Sequence, residues 1–232
     1  MLDTDLLDLL KRVDTPTVCN AIEVVQGKRG FNRFTRGTML CSAPEGGAMV
    51  GYACTAKIAA LAPPTEPADV IRTRRMAYYK AMAEAPKPSV AVVEDVDYPN
   101  CIGAYWGEVN TQIHKSFGMS GALTNGVMRD LADMAPGFPV VAGSIGPSHG
   151  FVHVREIGTA VTIHGLSIHD GELVHADRHG AVVIPDEVVG DLKDGIERLF
   201  ASERIVLDAT EQGPMDFAAF EEVWQRFEKA RT

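Results

Sequence analysis

The sequence predicts an α/β fold built as one domain over residues 1–232, and three observations carry that prediction. Between about residues 89 and 142, short apolar runs alternate with segments of helical spacing, the pattern of a parallel sheet with crossover connections. Residues 150–185 change character: β-branched and alternating residues are broken by Gly165, Asp170-Gly171 and His179-Gly180, which signals antiparallel strands with tight turns. Helical spacing occupies both ends, about 3–26 and 186–230, so terminal helices should pack on the sheet or on neighbouring subunits. With 46% hydrophobic and 23% charged residues the chain can bury a core, and disorder cannot account for most of it.

Taken in order, Leu6, Leu7, Leu9 and Leu10 among Asp5, Asp8 and Lys11 predict a helix over 4–12. Asp14 or Thr15 before Pro16 opens a second, which should stop near Gly27. "GGAMVGYACTAKIAAL" stays apolar too long for a half-exposed edge and reads as one or two strands. "APPTEPADV" is a loop that starts a helix at about 68–84, and "APKP" ends it. "SVAVVED" is a short buried strand, followed by a helix over 104–117, a strand in "GMSGALT", a helix over 127–134 and a strand in "FPVVAG". After Pro185 helix returns to about 210, and "MDFAAFEEVWQRFEKA" forms a last amphipathic one, whose Phe217, Phe220, Trp224 and Phe227 suit core or subunit contact.

Composition excludes several roles. A formal net charge of −9 and a pI near 5.2 argue against a nucleic-acid surface, which needs clustered cations to release counterions. Arg72, Arg74 and Arg75 read as a solvated helix face. The N-terminus lacks the basic segment and unbroken apolar run of a signal peptide, and no span suits a membrane helix, so a cytoplasmic protein is expected. Cys19, Cys41, Cys54 and Cys101 have no CxxC spacing and read as reduced, mostly buried residues.

Two stretches offer chemistry. If a helix starts near Gly107 in "AYWGEVNTQIHKSFG", its unpaired first-turn amides make a carboxylate or phosphate site that no Cβ obstructs. Glu108 then orients a water or accepts a proton, or merely complements the helix dipole. In "GALTNGVMRD", a strand ending at Leu123 that turns through Thr124-Asn125-Gly126 into a helix brings Arg129 and Asp130 to the carboxyl edge of the sheet. Arg129 suits a carboxylate or enolate oxygen, and Asp130 with several waters suits Mg²⁺, although such pairs also populate ordinary helix surfaces. His149, His153, His164, His169, His175 and His179 crowd into 31 residues, yet no HExxH helix accompanies them and zinc is not favoured. Glu172 and Asp177 could reach an active site across a subunit contact, or serve an ordinary turn.

Together these motifs resemble the RraA-like family, which includes the class II 4-hydroxy-4-methyl-2-oxoglutarate/4-carboxy-4-hydroxy-2-oxoadipate aldolases. The likeness runs through "TPTVCNAI", "GYACTAK", "VAVVEDVD", "AYWGEVNTQIHKSFGMSGALTNGVMRDLADM" and "HDGELVHADRHGAVVIP". Its most specific element is an acid, twenty intervening residues and Arg-Asp, here Glu108, Arg129 and Asp130. The resemblance implies a β/β/α sandwich-type domain with a central mixed sheet, flanking helices and an antiparallel segment, assembled as a homotrimer or homohexamer. It implies Mg²⁺ or Mn²⁺ on Asp130, Arg129 on the keto or enolate oxygen, and amides of Gly107, Glu108, Val109 and Asn110 on the carboxylate of a small 2-oxo acid. The activity implied is carbon–carbon cleavage through a pyruvate enolate, as a retro-aldol reaction, an oxaloacetate decarboxylation or both. The alternative within the family is a protein that inhibits a ribonuclease by contact; a methyltransferase label finds no glycine-rich fingerprint here. Glu108 stands where the aldolases usually have Asp, Asn110 where Leu is common and Asn20 where Asp is frequent.

Overall fold

A computed structural model describes residues 2–231. Helix α1 (Thr4–Leu10) starts where the Asp3 carboxylate accepts the Asp5 and Leu6 amides, and buries Leu6 and Leu10. Helix α2 (Thr15–Gln26) is capped by Asp14 and ends at Gly27, whose φ of 63° is left-handed and costs glycine nothing. Strand β1 (Leu40–Cys41) precedes the long β2 (Met49–Ala59), buried along most of its length and a single strand. Helix α3 (Ala68–Glu84) follows the proline-rich loop, and β3 (Ser89–Asp95) follows it. Then come β4 (Ala104–Trp106), α4 (Glu108–Ser116), β5 (Ala122–Thr124), β6 (Val127–Met128), β7 (Val140–Ala142) and β8 (Ser144–Ile145). The antiparallel segment contributes β9 (His153–Ile157), β10 (Val161–Ile163), β11 (Leu166–Ile168), β12 (Leu173–Asp177) and β13 (Gly180–Ile184). A 3₁₀ turn over Asp186–Asp191 leads into α5 (Leu192–Glu211) and α6 (Phe217–Arg231).

The main sheet is mixed, in the order β1-β7-β5-β3-β2-β12-β13, with β9 also on β2. Pairs β2–β3, β3–β5 and β5–β7 are parallel, and β12 and β9 run antiparallel to β2. One face is covered by α3 and α4, where Tyr78, Met82, Trp106 and Phe138 are buried. The other is covered by the β10–β11 hairpin through Ile163 and Ile168, and α1, α2 and α5 close the β13 end around Leu10, Ile22 and Ile196.

Three expectations need correction. Residues 127–134 form no helix: Val127 and Met128 are β6, paired in parallel with β4 and β8, and turns follow. The helix expected over 104–117 is preceded by β4 and begins only at Glu108. Among the cysteines only Cys54 is buried; Cys19, Cys41 and Cys101 are half-buried, and burial raises the thiol pKa of all four. On α6, Val223 and Phe227 are buried whereas Phe217 remains 74% exposed. No helix among the described residues is long and apolar enough to cross a membrane.

Candidate functional site

The site forms where β4 ends and α4 begins. Gly107 is the N-cap of α4, so the amides of the next three residues lack intrahelical partners. Strand β6 lies beside β4, and its pairing delivers the following residues to the same end, with the Arg129 amide donating to the Trp106 carbonyl at 2.8 Å. Asp130 takes a φ of 53°, a conformation tolerated by Asp and Asn more readily than by bulky residues, and this turns the chain out of the strand. Its carboxylate accepts the Glu108 amide at 3.3 Å and stands 3.6 Å from Arg129 Nε. The Val109 and Asn110 amides have no protein acceptor among the described residues. Thr111 fixes the turn further, donating to the Gly107 carbonyl at 2.9 Å and accepting the Ala135 amide at 3.0 Å.

A cavity of about 470 Å³ opens beside this turn, lined by Gly107, Val109, Asn110 and Arg129, and on its far side by Arg75 and Tyr79 of α3. His149 and His153 lie on its wall. Under it runs an aromatic network that the sequence reading missed. The Tyr79 hydroxyl donates to Asn110 Oδ1 at 3.0 Å, and Asn110 Nδ2 donates to the Tyr105 carbonyl at 2.7 Å. His114 Nδ1 lies 2.7 Å from the Asn110 carbonyl and must donate to it, which leaves Nε2 as acceptor for the Tyr78 hydroxyl at 2.6 Å. Burial lowers the His114 pKa to about 4 and raises that of Tyr78. The available signal was the i, i+4 pair Asn110 and His114, with Tyr78 and Tyr79 on the preceding helix.

Of the predicted site residues, the fold brings Gly107, Glu108, Val109, Asn110, Arg129 and Asp130 together. Glu108 is exposed, and its carboxylate makes no hydrogen bond or ion pair among the described residues. Glu172 and Asp177 lie elsewhere on the chain. Glu172 pairs with Arg33 at 2.9 Å and accepts the His169 amide at 2.8 Å; partial burial raises its pKa, but these bonds outweigh it and hold the carboxyl below its ordinary value. Asp177 accepts the Thr15 and His179 amides at 3.0 and 2.8 Å, and they likewise outweigh its burial. His175 is buried between the Thr15 hydroxyl and the Leu10 carbonyl.

Among the described residues no three His, Cys, Asp or Glu side chains converge as metal ligands. Asp130 is a hard oxygen donor beside a glycine cradle that a Cβ would fill, and a single carboxylate completed by water is a common way to hold Mg²⁺. The donor set fits that ion.

Comparison with known families gives one result: the profile described as RraA-like (Aldolase/RraA) matches residues 15–183. The chain belongs to the RraA-like family. No curated protein matches it. Solved structures share its architecture: RraAS2 of Streptomyces coelicolor, described as an unusual member of the RNase ES inhibitor RraA protein family, is 22% identical at a TM-score of 0.67, over 92% of this chain and 100% of that one. An uncharacterized protein from Pseudomonas syringae pv. tomato matches at a TM-score of 0.67 and 20% identity, covering 99% of this chain and 94% of its own. A protein described among novel cellulases from microbes associated with the gut ecosystem matches at 0.70 and 20%, over 88% and 87%. These likenesses establish the fold. The RraA-like match ends before α5 and α6, which lie beyond its last matched residue.

Proposed function

We propose that the chain is a divalent-metal-dependent lyase that cleaves the C3–C4 bond of a small 2-oxo acid, by retro-aldol reaction, by decarboxylation of oxaloacetate, or both. The observation that carries this reading is the convergence of Arg129, Asp130 and the open amides of α4 on Gly107. The Val109 and Asn110 amides, at the positive end of α4, bind the substrate carboxylate. Arg129 holds the 2-oxo oxygen with its planar fork and stabilises the negative charge that develops there as C3–C4 breaks and the enolate forms. Asp130 is the protein ligand for Mg²⁺ or Mn²⁺, which when bound supplies a Lewis acid for the same oxygen. Glu108, free at the rim, takes the C4-hydroxyl proton through a water in the retro-aldol reaction, and after either cleavage a water returns a proton to C3 of the enolate. Glu172 and Asp177 enter the proposal as acids that reach the site of a neighbouring subunit in a homotrimer or homohexamer, and the compartment is the cytoplasm.

The test is pyruvate release from oxaloacetate and from 4-hydroxy-4-methyl-2-oxoglutarate, with Mg²⁺ and with chelator, after subtraction of the metal-only rate. Turnover that needs both the metal and Asp130 supports the lyase. A second reading rests on the fold shared with RraAS2, a member of a ribonuclease-inhibitor family. Absence of turnover and of metal binding, with tight ribonuclease binding, would select it.

A further inference from the structure

Asn110, the third residue of α4, is held from three directions. Tyr79 of α3 donates to its Oδ1 at 3.0 Å, the Tyr105 carbonyl of β4 takes its Nδ2 at 2.7 Å, and His114, itself fixed by Tyr78, takes its carbonyl at 2.7 Å. An Asn in the first turn of a helix ordinarily competes with the helix by bonding to nearby backbone. Here the Tyr79 hydroxyl and the Tyr105 carbonyl hold the two ends of its side-chain amide, so the Asn110 side chain is anchored from outside α4. The Val109 and Asn110 backbone amides are the open donors beside Arg129, and Tyr79 and Asn110 share the wall of its cavity.

We infer, on the lyase reading above, that Tyr79 is a positioning residue for the proposed reaction: acting through Asn110, it aims the Val109 and Asn110 amides at the substrate carboxylate. Oriented donors that need no rearrangement are what an anion site gains from such support. The ring of Tyr79 packs on Tyr78 at 5.4 Å, His114 at 6.0 Å and Phe117 at 6.3 Å between centroids, so Tyr79→Phe keeps the packing and removes only the hydroxyl.

Two measurements on the full chain test this. Oxalate, a planar dianion resembling the enolate, is titrated in the presence of Mg²⁺ into the wild type, Tyr79→Phe, Asn110→Leu and the double variant. Hydrogen exchange of the hydrogen-bonded Glu108 and Thr111 amides, which flank the two open ones, is followed without ligand. Tyr79→Phe is expected to weaken oxalate about five-fold, the order of one lost hydrogen bond, and to speed exchange in that segment by a similar factor, with a melting temperature lower by only about 2–4 °C. In the Asn110→Leu background the same change should add nothing, because its partner is gone. Unchanged exchange in Tyr79→Phe, or effects that simply add, overturns the positioning role while leaving the lyase reading intact. Failure of the wild type to bind oxalate removes the lyase reading, and with it the reaction Tyr79 would serve; the exchange data still report whether the first turn depends on the hydroxyl.

Discussion

Gly107 and Asp130 stand so close that a Cβ built on the glycine would lie 2.5 Å from Asp130 Oδ2 and 3.0 Å from Arg129 Cγ. The glycine is required by space and not by backbone angle, since its φ of −147° is open to any residue. Gly107→Ala should therefore displace the proposed metal ligand and arginine while leaving the sheet intact. The expected result is a fall in pyruvate release of at least about ten-fold, as a small misplacement suffices for that loss, with little change in the thermal melt. Wild-type turnover in this variant would mean that the pair is not part of the chemistry.

Arg129 and Asp130 are assigned different tasks, so their variants should fail differently. Asp130→Asn keeps shape and removes the charge; Mg²⁺ affinity measured by calorimetry should fall at least about ten-fold, and metal-dependent turnover with it. Arg129→Lys keeps a cation and loses the fork; Mg²⁺ affinity should hold while kcat drops by roughly 10²-fold, the scale of one lost oxyanion donor. Equal losses of metal affinity in both would contradict the division of labour.

Much of this site was legible in the sequence because its cues are local. Gly107 before a helical segment marks an open helix start, and Arg129-Asp130 follows a strand wherever the next element lies. The error over residues 127–134 arose because "VMRDLADM" has helical spacing, whereas Val127 and Met128 complete a parallel ladder between β4 and β8 that no local window contains. The aromatic support under Asn110 was hidden for the same reason: Tyr79 and Asn110 are 31 residues apart and meet only once α3 has packed beside α4. The terminal helices needed only their own periodicity, and α3 matches its expected span because proline-rich segments bound it on both sides.

Stability should depend on pH through His114. The residue is fully buried and its pKa falls from an ordinary 6.5 to about 4, so the folded chain keeps it neutral where the unfolded chain would protonate it. The stability from the neutral ring is fully present above the unfolded value near 6.5 and is lost as pH drops toward 4, to a total of roughly 3 kcal/mol. His175, lowered by burial despite nearby Asp177 and Asp14, adds to the loss with the same sign. Urea unfolding at pH 7.5, 6 and 5 should show the decline, and His114→Gln should flatten it. A profile as steep in that variant would shift the cause to His175 and the carboxylates.

Glu172 and Asp177 have demonstrable bonds inside the chain, so their proposed second role needs a test that separates subunits. Asp177 accepts the first amide of α2 on one oxygen and the His179 amide on the other, and Asp177→Asn, which leaves one oxygen for the two, should cost about 1 kcal/mol of stability, the order of one lost hydrogen bond. Glu172 is the better probe of the contact, because Glu172→Gln keeps an oxygen for the His169 amide and weakens only the partly exposed pair with Arg33, at little cost in stability. If Glu172 completes a neighbour's site, Glu172→Gln should lower turnover at least about ten-fold with Mg²⁺ affinity and assembly mass unchanged. Mixing that variant with Asp130→Asn and letting subunits exchange should then restore activity, since some mixed sites pair an intact Asp130 with an intact Glu172. A mixture no more active than its components would confine Glu172 to its bonds with Arg33 and the His169 amide.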